Sequence, residues 1–419
     1  MPDLFAELGW RGFVHHATEH LQRHLAEQRR TVYCGFDPTA PSLQLGNLMP
    51  LMLLRHFQLH GHKPIVLMGG GTGLIGDPSG KRGERPLLTR EQIRENLQRQ
   101  RDQMQRLLEF DPGPAAAEVM DNAKWLVEQR LVDFLRDVGK HFTVNLMMQK
   151  EAVKARLDTG ISYTEFSYML LQAYDFLHLF RTRGCTLQVG GSDQWGNITA
   201  GIDLIRRVEG GEAHGLVAPL VTTASGAKFG KSEAGAIWLD AALTSPYAFY
   251  QFWVNTDDRD TESHLKLFSL KSREELKELL HRAKQNPASR EAQRALAAEV
   301  TERIHGDAVQ SAMVASEILF GDFDPHEASA SVFDTLAREI PTTIIPSKDD
   351  LTLVDAVVQG GLAKSKSEAR RSIEQGGVYV NQRRVKDAAR RIEPADWLAD
   401  RNVLLRKGKK DYALVRVGG

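Results

Sequence analysis

The sequence predicts an α/β protein built on a doubly wound parallel sheet, followed by an all-helical domain and a small α+β unit. Three observations carry this. Between residues 31 and 221, short apolar runs alternate with amphipathic stretches of helical period. From residue 245 to about 320 only the helical period remains. The last 69 residues combine one basic helix with a hairpin.

Each element has a local cause. Residues 31–36 (Thr-Val-Tyr-Cys-Gly-Phe) read as a buried strand, and a loop leads from them to a helix carrying Leu48, Leu51, Met52 and Leu54. Residues 64–68 form a second apolar strand, ended by Gly69-Gly70-Gly71. Thr89 with Gln92 is an N-cap signature, opening an amphipathic helix expected to reach about Leu108. A strand at 118–120, helical stretches at 125–138 and 163–182, and strands at 186–189 and 216–221 follow.

At Ser245-Pro246, a fitting N-cap and first helical residue, the character changes to helices. Ser272 and Glu275 make a capping box, and Gln285-Asn286-Pro287 is a break. Residues 321–350, with Pro325, Pro341 and Pro346, read as a linker. In the final unit Ser365 and Glu368 cap the basic helix, Gly376-Gly377 ends it, and Val378-Tyr379-Val380 starts a hairpin turning near Asn381-Gln382. The expected domains are 1–244, 245–330 and 351–419, with 331–350 between the last two.

Composition sets the bounds. A chain of 419 residues, 42% apolar and 26% charged, has room for two or three domains with a substantial core. No run of about 18 apolar residues occurs, so no membrane span is expected. The opening Met1-Pro2-Asp3-Leu4-Phe5-Ala6-Glu7 lacks the basic and apolar regions of a signal peptide. The two cysteines, Cys34 and Cys185, form no local Cys-x-x-Cys motif and fit a reducing cytoplasm. Formal net charge is zero but unevenly spread. Residues 351–419 hold 15 Lys and Arg against 8 Asp and Glu, net +7, which leaves the first 350 residues at net −7. An acidic body with a basic tail suggests a polyanion held at the C-terminal end.

Two short segments carry the chemistry. Pro38-Thr39-Ala40-Pro41-Ser42-Leu43-Gln44-Leu45-Gly46-Asn47 runs from a strand into a helix. A helix N-terminus presents unpaired N–H groups to an anion, and Gly46 lets a nucleotide approach the backbone. Lys228-Phe229-Gly230-Lys231-Ser232 is not a Walker A loop, because the position five before Gly230 is Ser225, with Gly226 one place too late. Two lysines around a glycine suit a triphosphate instead. Tyr168, Gln172 and Asp175 lie at i, i+4 and i+7, so one helix face carries three polar groups beside Met169, Leu170 and Leu171. Such groups need partners, which a small polar ligand or an internal network can supply.

The first segment resembles the His-x-Gly-His signature of class I aminoacyl-tRNA synthetases, with Gln44 and Asn47 in place of the two histidines, and the second resembles the Lys-Met-Ser-Lys-Ser signature. Between them, Tyr33-Cys34-Gly35-Phe36-Asp37, Gly76-Asp77-Pro78-Ser79, the 168–175 helix face and Gly190-Gly191-Ser192-Asp193-Gln194-Trp195 stand in the order seen in bacterial tyrosyl-tRNA synthetases. The resemblance covers the whole chain.

What it implies can be written residue by residue. Tyr33 and Asp175 would hold the substrate phenol hydroxyl, and Asp77, Tyr168 and Gln172 its ammonium. Asp37, Gly191, Asp193 and Gln194 would hold the ribose and orient the carboxylate. Thr39, Gln44, Asn47, Lys81, Arg85, Lys228 and Lys231 would meet the phosphates, with Gly46 beside them. A tryptophan-specific relative fits less well, because Tyr33 and Asp175 are apt for a phenol. An RNA-binding protein that kept the fold and lost the chemistry is the reading from another class, with Gln44 as the departure that raises it.

The basic tail, with Lys364, Lys366, Arg370 and Arg371 about its capped helix and Arg383, Arg384 and Lys386 past the turn, resembles the S4 RNA-binding domain. The implied partners are tRNA(Tyr), L-tyrosine and ATP with Mg2+, in a cytoplasmic homodimer that joins through a segment inserted between the sheet halves. The catalytic part would be Rossmann-like. No tightly bound protein metal is expected: His16, His20 and His24 would share a helix face at i, i+4 and i+8, but no Asp or Cys accompanies them.

Overall fold

The computed structural model describes residues 3–79, 87–154, 156, 160–224, 226, 229–232 and 235–418. Contacts divide the chain into two units, one of residues 1–243 and 256–296, the other of 244–255 and 297–419.

The first unit holds a six-stranded sheet: β1 (His16–Ala17), β2 (Thr31–Phe36), β3 (Lys63–Met68), β4 (Glu118–Asp121), β5 (Cys185–Gly191) and β6 (His214–Ala218). Its order is β1-β6-β5-β2-β3-β4. Every pairing is parallel except β1 with β6. β6 stops at Ala218 rather than at 221, since Pro219 has no N–H to continue the ladder. The helix opened by Thr89 runs Arg90–Met104, four residues short of the expected end, with both capping-box bonds formed. Tyr33, Ile65, Leu67, Phe176 and Leu204 meet in one core, where the sheet is covered by helices Tyr163–Arg183 and Trp195–Glu209.

The three early histidines do not share a helix. His16 lies in β1, His20 takes a left-handed backbone (φ 63°), and only His24 is helical, in Leu21–Glu27. Pairing of β1 with β6 is what breaks the helical run. His16 stacks on Trp195, while His24 bonds Thr186 Oγ1 at 2.8 Å and lies 4.1 Å, ring to ring, from His214.

Two imidazoles withdrawn from water, the half-buried His24 and the buried His62, give the fold a pH dependence. Burial pushes His24 down to about 4, with His214 and Arg30 adding to it. Burial likewise pushes His62 down to about 4, and its Nδ1 accepts the Arg30 N–H at 3.1 Å, a bond that protonation would break. The unfolded chain takes up protons near 6.5 and the native state refuses them until about 4, so this stability is complete above pH 6.5 and lost as pH falls through that window. The thermal midpoint should therefore drop between pH 7 and pH 5, and His62→Gln, which keeps an acceptor but does not titrate, should reduce the drop. Equal slopes for both proteins would remove His62 from the account.

The second unit contains helices Pro246–Val254, Ala308–Phe320 and Ala330–Glu339 and a five-stranded sheet. The expected boundary at 245 does not coincide with the division by contacts. Buried Arg11 donates to the carbonyls of Lys266, Ser269 and Lys271 at 3.0, 2.7 and 2.6 Å, which ties the 258–285 helices to the first unit. The segment expected as a linker is ordered structure. After the short pair β7 (Lys231–Ser232) and β8 (Gly235–Ala236), it supplies β9 (Thr342–Ile345), a β-branched run.

The remaining strands are β10 (Val378–Val380), β11 (Arg383–Val385), β12 (Asn402–Lys407) and β13 (Asp411–Val417), in the order β11-β10-β12-β13-β9, with β9 parallel to β13. The hairpin turns at Asn381-Gln382, both with positive φ (47° and 66°). Asn381 tolerates this because its buried side chain donates to Asp396 O and accepts from Leu404 N.

Candidate active site

A cavity of about 310 Å3 opens at the carboxyl ends of β2, β3 and β5. The strand order reverses between β2 and β5, the place where open α/β sheets bind ligands. Tyr33, Asp37, Thr39, Gly46, Asn47, Asp77, Tyr168, Gln172, Asp175, Gly191, Asp193 and Gln194, all singled out from the sequence, line it together.

At one part of the wall, Asp175 is 2% exposed, and burial pushes its carboxyl up to about 8. Bonds from Asn122 Nδ2 (2.9 Å) and Trp125 Nε1 (2.7 Å) oppose that shift and fix both oxygens. Tyr33 is fully buried, packs edge-on against Phe176, and its hydroxyl has no hydrogen-bond partner among the described residues. Its cross-strand neighbour Gln188, 2% exposed, also lines the cavity and leaves Oε1 unpaired. Buried polar atoms left without partners are costly, so this wall is prepared for a ligand with a polar tip on an apolar body.

A second network runs beside it. Tyr168 OH donates to Asp37 Oδ2 at 2.9 Å, and Thr72 Oγ1 to Asp37 Oδ1 at 2.7 Å. A Cβ on Gly69 would sit 2.0 Å from Asp37 Oδ1, so only glycine lets that carboxylate close in. Asp77 accepts from Ser79 N (2.8 Å) and Gln194 Nε2 (2.7 Å), while Asn197 joins Gln172 at 3.0 Å.

The two sequence signatures meet. Leu45 N donates to Ile237 O, Leu239 N to Leu43 O, and Ile237 N to Gly230 O, each at 2.9 Å. Gly230 has φ +76°, and a Cβ there would lie 3.1 Å from Leu45 Cβ. Residues 45–47 form a 3-10 turn ahead of helix Leu48–Leu59, with Gln44 N bonded to Asn47 Oδ1 at 2.9 Å. Gln44 itself is exposed and does not line the cavity; Lys231 is exposed on β7. Lys81, Arg85 and Lys228 lie outside the described residues.

Within the second unit, Lys364, Lys366, Arg370, Arg371, Arg383, Arg384 and Lys386 are all exposed. Lys366 pairs with Asp355 at 2.7 Å, and Arg384 Nε donates to Gly376 O.

Sequence reasoning missed Thr72, Asn122, Trp125 and Asn197, which complete these networks, and Gln188, which lines the cavity. Two signals were available. Thr72 and Asn122 follow β3 and β4 at their carboxyl ends, and Gln188 is an amide inside an apolar strand.

Comparison with known proteins agrees with this geometry. Residues 25–321 match the family described as tRNA synthetases class I (W and Y), and residues 333–415 the tyrosine–tRNA ligase SYY-like C-terminal domain. The chain is 49% identical to a tyrosine–tRNA ligase of Roseiflexus castenholzii and 51% to one of Anaeromyxobacter dehalogenans, covering 100% of both chains in each case. Among solved structures, a C-terminally truncated mitochondrial tyrosyl-tRNA synthetase of Aspergillus nidulans matches with TM-score 0.70 and 30% identity over 76% of this chain and 95% of that one. The chain therefore belongs to the class I tRNA synthetases for tryptophan and tyrosine, among the tyrosine–tRNA ligases.

Proposed function

We propose that this chain activates L-tyrosine with ATP and passes it to tRNA(Tyr), with the tyrosine ring in the 310 Å3 cavity and its phenol between Tyr33 and Asp175. The observation that carries the reading is the pairing of an unpartnered buried Tyr33 hydroxyl with a buried, doubly anchored Asp175. A phenol O–H bonds both, whereas phenylalanine leaves the Tyr33 hydroxyl unpaired.

In the first step a carboxylate oxygen of tyrosine attacks the α-phosphorus of ATP, and the bond to pyrophosphate breaks. The carboxylate is already a nucleophile, so no general base is needed, and rate comes from positioning and from neutralising the leaving group. Asp77, Tyr168 and Gln172 hold the ammonium. Asp37, Gly191, Asp193 and Gln194 hold the ribose and the reacting carboxylate. Thr39, Gln44, Asn47, Gly46, Lys81, Arg85, Lys228 and Lys231 serve the phosphates. Mg2+ arrives with ATP as part of that substrate. In the second step a hydroxyl of the terminal adenosine attacks the tyrosyl carbonyl and AMP leaves.

The basic residues Lys364, Lys366, Arg370, Arg371, Arg383 and Arg384 serve as phosphate contacts for the tRNA, together with the helices from 245 onward. A homodimer is supported by helix Leu131–Asp137, which buries none of its residues and exposes Leu131 (71%) and Val132 (75%). No helix among the described residues is long and apolar enough to cross a membrane, and the site of action is proposed to be the cytoplasm.

Single-turnover formation of tyrosyl-adenylate tests the phosphate assignments. Gln44→Ala should slow it by roughly 1–3 kcal/mol, the value of one lost contact, and Gln44→His should be tolerated. Lys231→Ala should cost more, since it removes a full charge. Wild-type rates for Gln44→Ala beside a crippled Lys231→Ala would assign the work to the lysine loop alone; the exposure of Gln44 outside the cavity makes this a sharp test.

A further inference from the structure

The loop that carries Thr39 is held in an unusual way. Pro38 and Pro41 have no N–H, so residues 38–41 cannot be fixed by a backbone ladder, and their carbonyls need donors from elsewhere. Those donors come from one face of helix Arg90–Met104. Asn96 Nδ2 donates to Pro38 O at 3.0 Å, and Gln100 Nε2 to Ala40 O at 2.7 Å. Gln103 Oε1 accepts Leu43 N at 2.9 Å, and its amide also meets Ser42 Oγ at 3.1 Å. Positions 96, 100 and 103 are spaced i, i+4 and i+7, which places the three amides in one row.

Nothing about solubility or helix formation asks for this row. Gln100 is 2% exposed, a burial that an apolar residue would fill at lower desolvation cost. On its far side the same loop is bound by Ser42 Oγ, which accepts Asp240 N at 3.1 Å, and by the Leu43–Leu239 bond. The loop is thus suspended between the amide row and the segment that follows the Lys231 signature.

We propose that Asn96, Gln100 and Gln103 are positioning residues for ATP: a rack of three amides that fixes the backbone of residues 38–43 and so sets Thr39 and the turn at Gly46 against the triphosphate. This rests on the reading that residues 37–47 meet ATP. None of the three lines the cavity, and the tyrosine end of it is anchored separately through Asn122 and Trp125. Losing the rack therefore acts on ATP and not on tyrosine.

The chemistry of the two glutamines yields a discriminating test. Gln100 acts as a donor, so Gln100→Glu cannot replace it and Gln100→Leu cannot either. Gln103 acts on Leu43 N as an acceptor, so Gln103→Glu retains that bond while Ser42 turns its hydroxyl to donate. In steady-state pyrophosphate exchange, both Gln100 variants should raise KM for ATP about tenfold with KM for tyrosine within twofold, and Gln103→Glu should stay close to the unaltered protein.

Should the Gln100 variants fail to fold by circular dichroism, Asn96→Leu, at a half-buried position, decides in their place with the same split between ATP and tyrosine. Unchanged ATP dependence in the folded variants, a parallel rise in both KM values, or equal damage from Gln103→Glu and Gln100→Glu would overturn the rack. Thr39→Ala separates this from failure of the site reading. If it raises KM for ATP while Gln100→Leu does not, only the rack falls; if it too has no effect, the ATP assignment of the loop falls with it.

Discussion

Asp175→Ala is expected to abolish measurable tyrosine activation while the protein stays folded. The substitution removes the carboxylate proposed to accept the phenol and leaves Asn122 Nδ2 and Trp125 Nε1 without the oxygens they now bond at 2.9 and 2.7 Å. The lost hydrogen bond to the phenol and the two stranded donors together are worth roughly 3–5 kcal/mol, about a thousandfold in kcat/KM. Exchange kinetics like those of the unaltered protein, in a folded Asp175→Ala variant, would remove the phenol from this wall of the cavity. Asp175→Asn is a useful companion, because it keeps the volume and one acceptor oxygen but replaces the other acceptor with an N–H donor. It should fall between the two.

The second large effect concerns the C-terminal residues. A sequence-based cut at 351 would part β9 from β13, its parallel partner, and leave an unpaired edge. A cut after Gly321 removes that sheet whole, although Ile318 O and Leu319 O then lose the bonds they take from Gln382 and Tyr412. With residues 322–419 deleted, adenylate formation should stay within about threefold, since the cavity lining ends at Leu220 and the segment bonded to residues 42–47 ends at Asp240. Charging of tRNA should fall roughly a hundredfold or more, with the salt dependence of RNA binding reduced as the exposed cations are lost. Normal charging by the truncated protein would show that the basic surface is not an RNA anchor.

How far the sequence carried depended on whether a feature is local. The strands β2, β3 and β5, the caps at Thr89, Ser245, Ser272 and Ser365 and the Asn381-Gln382 turn were legible, because each is set by period or by a side chain bonding its own backbone. The polar face of Tyr168, Gln172 and Asp175 was legible for the same reason. What escaped was set by distant pairing. β9 looked like linker because its partner lies about seventy residues on, and the early histidines looked helical because the pairing of β1 with β6, two hundred residues away, is invisible locally. Asn122 and Trp125 anchor Asp175, and no spacing in the sequence joins them to it.

The central claim is that the cavity reads a phenol before committing ATP. The most direct measurement is exchange of labelled pyrophosphate into ATP by the full chain, with tyrosine, phenylalanine and tryptophan supplied in turn and with Tyr33→Phe run beside the unaltered protein. Tyrosine alone should drive rapid exchange, and Tyr33→Phe, which deletes a buried hydroxyl with no hydrogen-bond partner among the described residues, should narrow the gap between tyrosine and phenylalanine. Exchange driven equally by phenylalanine, or by tryptophan in preference to tyrosine, would contradict the assignment of Tyr33 and Asp175.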